Sequence, residues 1–181
     1  AEIKDSIPQK LPVYVSIDGK GVLHKLVESN SHNNLIDQIL PNARSDDFVI
    51  QELSLKDDKK VISAARRSNI KAISNQINDL GFDVLKISLG PFSFVNIVTQ
   101  FVERSIVIVP NYDLVAENGW LDHYVKNESI NPDYDLIIDT NNIESQYIIP
   151  FTNSLLHFTN EDVLKNDFVN QNSQNKSFHF K

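Results

Sequence analysis

The sequence predicts an α+β fold, and three observations carry the prediction. Apolar and polar residues alternate over several runs of five to eight residues, the period of half-buried strands. Turn signals separate neighbouring runs closely enough to make hairpins rather than crossovers. A few segments instead repeat their apolar residues at helical spacing. With 181 residues and 41% hydrophobic content, the chain can bury a core, either as one domain or as two small units sharing one.

Val13, Val15 and Ile17 alternate with Tyr14 and Ser16 as a first strand. Asp18-Gly19-Lys20-Gly21 is turn chemistry, and Val22, Leu23, Leu26 and Val27 form a return strand. Leu35, Ile36, Ile39 and Leu40 lie on one face of a short helix that Pro41 stops. Phe48 to Leu55 and Val61 to Ala65 read as an antiparallel hairpin around the polar turn Lys56-Asp57-Asp58-Lys59. Ser68 is placed to cap a helix whose face carries Ile70, Ile73, Ile77 and Leu80, with Gly81 at its C-terminal end. Phe82 to Leu89 is a strand that Gly90-Pro91 breaks. Pro91 then suits the start of a helix, buried through Phe94, Val95, Val98, Phe101 and Val102. Ile106 to Val109 is a further strand. Tyr112 to Ala116 and Trp120 to Val125 flank Asn118-Gly119, the strongest hairpin signal in the chain. Tyr134 to Asp139 and Ile143 to Ile149 make a last strand pair. Pro150 then opens a helix carrying Phe151, Leu155, Leu156 and Phe158.

The order is ββ-α-ββ-α-β-α, then a β meander and a final helix. A division near Val102 separates a compact αβ unit, residues 1–102, from a β-rich unit, residues 103–165. Residues 166–181, rich in Asn, Gln, Ser and Lys, read as a flexible tail. The sequence lacks methionine, including an initiator, and reads as a piece of a longer protein. It holds no apolar run long enough to span a bilayer.

Charge and composition narrow the chemistry. A net charge of −7 disfavours nucleic acid, which needs a basic face. The absence of cysteine excludes disulfides, thiol nucleophiles and cysteine-ligated metals. Gly19-Lys20-Gly21 fails the phosphate-loop pattern, because the lysine is followed by glycine and a strand instead of Ser or Thr and a helix. Of His24, His32, His123, His157 and His179, no two stand three to five residues apart, so no helical metal pair exists. Asp46-Asp47, Asp57-Asp58 and Glu161-Asp162 read as solvated turns. Asp139-Thr140-Asn141 lacks the glycine of a nucleotide phosphate turn. Asn127-Glu128-Ser129 and Asn175-Lys176-Ser177 match the glycosylation sequon, which matters only in a secreted chain. Arg66-Arg67 is the one arginine doublet in the chain. Arg66 and Arg67 are the candidate partner contacts, since arginine binds carboxylates bidentately. No residue is assigned to catalysis, a cofactor or a metal.

From Leu11 to Val102 the chain resembles the middle subdomain of the PilM and GspL-like proteins, actin-like-fold components of type IV pilus and type II secretion inner-membrane platforms. The resemblance is an ordered series: Pro12 to Gly21 leading into Val22-Leu23-His24-Lys25; Leu40-Pro41-Asn42-Ala43; Phe48-Val49-Ile50-Gln51; Ile62-Ser63-Ala64-Ala65-Arg66-Arg67; Leu80-Gly81-Phe82-Asp83-Val84; and Leu89-Gly90-Pro91-Phe92. Gln146 to Phe151 is more loosely similar to the family's late strand-to-helix step. The resemblance implies a fragment related to the actin-like and ribonuclease H-like folds, with a ββαββα, SHS2-like subdomain ahead of the β-rich one.

It also implies a non-catalytic scaffold at the cytoplasmic face of the bacterial inner membrane. Such a module captures a peptide or β-strand of other secretion or pilus platform proteins. Membrane association would come only through a segment outside this chain, following Lys181. The family's nucleotide site needs two glycine-bearing phosphate hairpins, and five glycines do not supply both, so no cofactor is expected. Two other readings compete: an actin-like ATPase domain that binds nucleotide, and a small-molecule-binding module with a groove lined by Phe and Tyr.

Overall fold

The computed structural model describes residues 11–29, 35–128, 135–138, 140–155 and 165–166. Its elements run in the order β1 (Leu11–Ile17), β2 (Val22–Glu28), α1 (Leu35–Ile39), β3 (Phe48–Ser54), β4 (Lys59–Arg66), α2 (Arg67–Asp79), β5 (Phe82–Leu89), β6 (Ser105–Val109), β7 (Tyr112–Glu117), β8 (Trp120–Lys126), β9 (Asp135–Ile138), β10 (Asn141–Glu144), α3 (Ser145–Ser154) and β11 (Lys165–Asn166). The chain is therefore a mixed α and β protein, with strands outnumbering helices among the described residues.

The first turn forms as its residues require, but the strands beside it do not pair. β1 lies parallel to β5, with Ile17 opposite Leu89, while β2 runs antiparallel to β4. The turn is closed by the Val22 amide donating to the Gly19 carbonyl at 3.1 Å. β4 is central to a sheet ordered β11-β3-β4-β2. The β3–β4 hairpin matches the expected pairing, with Asp57 and Asp58 both left-handed at φ 57° and 54°. That acidic doublet is thus turn chemistry. A third sheet is the meander β6-β7-β8. Its Asn118-Gly119 turn has φ of 52° and 79°, both positive as a type I′ hairpin demands.

Three expectations about helices are corrected. α2 begins at Arg67 with Arg66 at its N-cap and no side-chain cap, so Ser68 lies inside the first turn. The segment after Pro91 is two short 3-10 turns, Phe92–Asn96 and Val98–Gln100, not an α-helix. It is buried through Phe92, Phe94, Val95, Ile97 and Val98, whereas Val102 is exposed. Aromatic and β-branched residues at most of these positions lose rotamer freedom in an α-helix, and the tight turns suit a short buried connector. Finally, Tyr147-Ile148-Ile149 belongs to α3 instead of a strand, and Pro150 sits inside that helix. Ile148, Thr152 and Asn153 form its inward face at helical spacing. Leu156, Phe158, Tyr134 and Asp139 lie outside the described residues, as do the second sequon, His32, His157, His179, Glu161-Asp162 and the tail beyond Asn166.

The largest core gathers Leu53, Val61, Phe92 and Phe94 with Val107, Leu114, Leu121, Leu136 and Ile148. It draws on both sides of Val102. A second core fills the space between α2 and the β1–β5 pair, around Ile70, Val84, Ile87 and Leu89. α1 covers Phe48 and Ala64.

Polar groups join these parts at two buried places. The Gln51 side chain spans from β3 to the Leu89 backbone, donating from Nε2 to its carbonyl at 2.9 Å and accepting from its amide at 2.8 Å. Under α3 runs a seam of small polar residues. Ser88 donates to Asn153 Oδ1 at 3.1 Å and lies 3.0 Å from the Ser16 hydroxyl. Ser93 and Thr152 hydroxyls are 3.1 Å apart, and Asn96 donates to the Thr152 carbonyl at 2.9 Å.

Candidate functional site

β1 and β5 end side by side, and their last residues begin the site. Ile17 accepts a hydrogen bond from the Gly90 amide at 2.8 Å, which places Asp18 and Gly90 together just past the two strands. Carboxyl ends of neighbouring parallel strands are a common place for ligand grooves. Here the groove holds about 160 Å³ and is bordered by Ser16, Asp18, Pro91, Pro110, Tyr112 and Ile149.

His24 stands behind Asp18 on β2. Its Nε2 is 3.4 Å from Asp18 Oδ1 and its Nδ1 is 2.8 Å from Ser63 Oγ on β4. The register explains the second contact, since His24 lies directly opposite Ser63. Tyr112 donates its hydroxyl to the same Asp18 oxygen at 3.0 Å. Aromatic edges enclose the imidazole: Phe92, Tyr112 and Tyr124 have ring centroids 5.1, 6.0 and 6.4 Å from it. The histidine side chain is only 7% exposed.

Electrostatics follow from this packing. Burial would raise the Asp18 carboxyl, but hydrogen bonds from His24, the Gly19 amide and Tyr112 outweigh it and hold the group below its ordinary value. Tyr112 moves strongly the other way, through burial and the neighbouring Asp18 charge. Tyr124 is raised by burial alone. Asp18 is therefore an anion at neutral pH, and Tyr112 is its neutral donor.

The Asp18–His24–Ser63 sequence of contacts has the residue types of a nucleophilic triad, but not its access. Ser63 is 1% exposed and lies within the β-sheet. A triad serine must reach a substrate carbonyl, and this hydroxyl faces the histidine beneath the surface. The group open to the groove is the Asp18 carboxylate, whose side chain is 27% exposed.

The arginines lie elsewhere. Arg67 donates to the backbone carbonyls of Asp46 and Phe48 at 3.0 and 2.6 Å. Arg66 is exposed, with its guanidinium 5.5 Å from the Phe48 ring centroid. Arg67 thus braces the Asp46-Asp47 turn, and neither arginine lines the Asp18 groove. Sequence reading passed over Asp18 as a turn residue and His24 as a solitary imidazole. Their partners stand 39 and 94 residues distant, a separation that no local motif encodes. Among the described residues, no group of three or more His, Asp or Glu side chains is arranged to hold a metal ion.

Solved structures include chains similar to this one. The chain is similar to the solved cytoplasmic domain of EpsL, an inner-membrane component of the type II secretion system of Vibrio cholerae. The match has 16% identity and a TM-score of 0.41, covering 69% of this chain and 54% of the other. The chain therefore spans about half the length of that domain. No family model matches, and no curated protein does.

Proposed function

We propose that this chain is a non-catalytic scaffold, part of the cytoplasmic portion of an inner-membrane pilus or type II secretion assembly protein. It works by protein–protein contact with other platform components. The ordered series from Pro12 to Phe92 supports the family reading. The observation that carries the mode of action is the outer edge of β2. Among the described residues β2 pairs with β4 alone. Its Leu23 and Leu26 are 42% and 46% exposed. An open strand edge bearing apolar side chains can accept an added strand, with backbone groups giving affinity and side chains giving selectivity.

The test is site-specific photo-crosslinking from positions 23 and 26 in the native host. Cross-links to inner-membrane secretion or pilus components are expected, and their loss on Leu26→Lys. Cross-links confined to proteins outside those systems would refute the scaffold. Saturable heat on titration with ATP and magnesium would instead favour the nucleotide-binding reading.

A further inference from the structure

We propose that the groove at the ends of β1 and β5 receives the side-chain cation of a lysine or arginine presented by a partner polypeptide. This deepens the scaffold reading and rests on it for the source of the cation.

The groove's contents argue for this ligand. Its charged member is the Asp18 carboxylate, set between Ser16 and Tyr112. Among the described residues no lysine or arginine pairs with Asp18, whose side-chain neighbours are the His24 imidazole and the Tyr112 hydroxyl. The anion is therefore available to an incoming cation on its exposed side. The neighbouring surfaces are Pro91, Pro110, Ile149 and the Tyr112 ring. Such walls suit the methylene stem of lysine or arginine, which packs on apolar surface while the head finds a charge. Gln146 and Asn111 complete the rim.

Size separates a side chain from a free metabolite. Pockets that enclose small molecules measure roughly 300–1,000 Å³, and this one holds about 160 Å³. That volume fits the end of one side chain and is too small for a nucleotide. Long-range charge acts in the same direction, since a chain of net charge −7 draws basic segments toward it.

The experiment follows backbone amide resonances while capped amino acids are titrated into the intact protein. The probes are N-acetyl-lysine methylamide and N-acetyl-arginine methylamide, with N-acetyl-norleucine methylamide as the uncharged control and methylammonium as a cation without a stem. The cationic probes should give saturable shifts at Gly90, Asn111 and Tyr112, with millimolar affinity. Norleucine and methylammonium should bind at least fivefold more weakly. Asp18→Asn should weaken the cationic probes by fivefold or more. Because Asp18 also holds His24 and Tyr112, the exposed rim change Gln146→Arg supplies a second variant, and its added cation should have the same effect. Equal shifts from norleucine, equal affinity for methylammonium, or undiminished binding by Gln146→Arg would each overturn the proposal. Failure here with intact cross-links from Leu23 and Leu26 removes the groove and spares the scaffold. Saturable probe binding without any platform cross-link removes the partner polypeptide, and this proposal with it.

Discussion

Gly90 lies so close to His24 that no side chain fits at position 90 while the imidazole is in place. A Cβ built on Gly90 would fall 2.5 Å from His24 Cε1 and 2.8 Å from Nε2. The backbone there is also left-handed, with φ at 72°. Gly90→Ala should therefore cost about 2–4 kcal/mol, from overpacking together with backbone strain. Urea denaturation measures the loss. Its cost should shrink in a His24→Ala background, since the ring that collides is gone. An undiminished cost would mean that the backbone alone is responsible.

Asp18 carries a pH prediction. Its folded carboxyl lies below the ordinary value, so it binds protons less readily folded than unfolded. Its stabilisation is thus complete above the unfolded pKa, about 3.9, and is lost as pH falls through the folded value. Asp18→Asn should lower stability at pH 7 by about 1–3 kcal/mol. The gap from wild type should close at acid pH, as followed by denaturation at pH 7 and in steps below 4. A gap that persists at the acid end would contradict the assignment. At this scale, turn residues were legible because their geometry is local: Asn118-Gly119 needs no distant partner. The Asp18, His24 and Tyr112 grouping was not, because register and packing create it.

Among elements, the junction between β3 and β5 shows a side chain acting as a strand. Gln51 is 1% exposed and offers one donor and one acceptor to Leu89, the pair a neighbouring strand residue would offer. Gln51→Leu keeps the volume but leaves the Leu89 amide and carbonyl buried without those partners. Each such group costs about 1–3 kcal/mol, so a loss of about 2–6 kcal/mol is expected for the two. Amide exchange at Leu89 should accelerate beyond what that global loss explains. The helices show why patterns misled. Tyr147-Ile148-Ile149 is a short apolar run, and periodicity alone cannot divide strand from helix over so few residues. Pro150 is common at helix starts, yet here it sits mid-helix, where it forgoes one backbone bond. Packing of Ile148 and Thr152 against the 3-10 segment holds α3 in place despite that.

For the whole molecule, the main core decides how the chain unfolds. Leu53, Val61 and Phe92 share it with Leu114, Leu121 and Ile148, so residues before Val102 bury part of their apolar surface only against residues after it, while the cores around Ile70 and Phe48 are complete within residues 1–102. Residues 1–102 expressed by themselves should lose the shared core around Leu53, Val61 and Phe92 and melt well below the entire chain. The entire chain should unfold in a single transition by fluorescence and circular dichroism. Two separated transitions would mean independent units. The alternation of strands revealed a mixed, strand-rich fold because it recurs along most of the chain. The parallel β1–β5 pairing stayed hidden, since a glycine turn between two strands suggests that they pair with each other.

The seam beneath α3 bears on how that helix finds its seat. An oily interface would let the rod slip or rotate by part of a turn at small penalty. Hydroxyls and amides resist such drift, because a hydrogen bond keeps its strength only over a few tenths of an ångström and weakens steeply as it bends. Ser88 with Asn153 and Ser93 with Thr152 therefore work as the teeth of a key, admitting a single depth and angle. One tooth is half engaged: Asn96 Oδ1 is buried with no hydrogen-bond partner among the described residues, so that side chain grips α3 through its amide nitrogen alone.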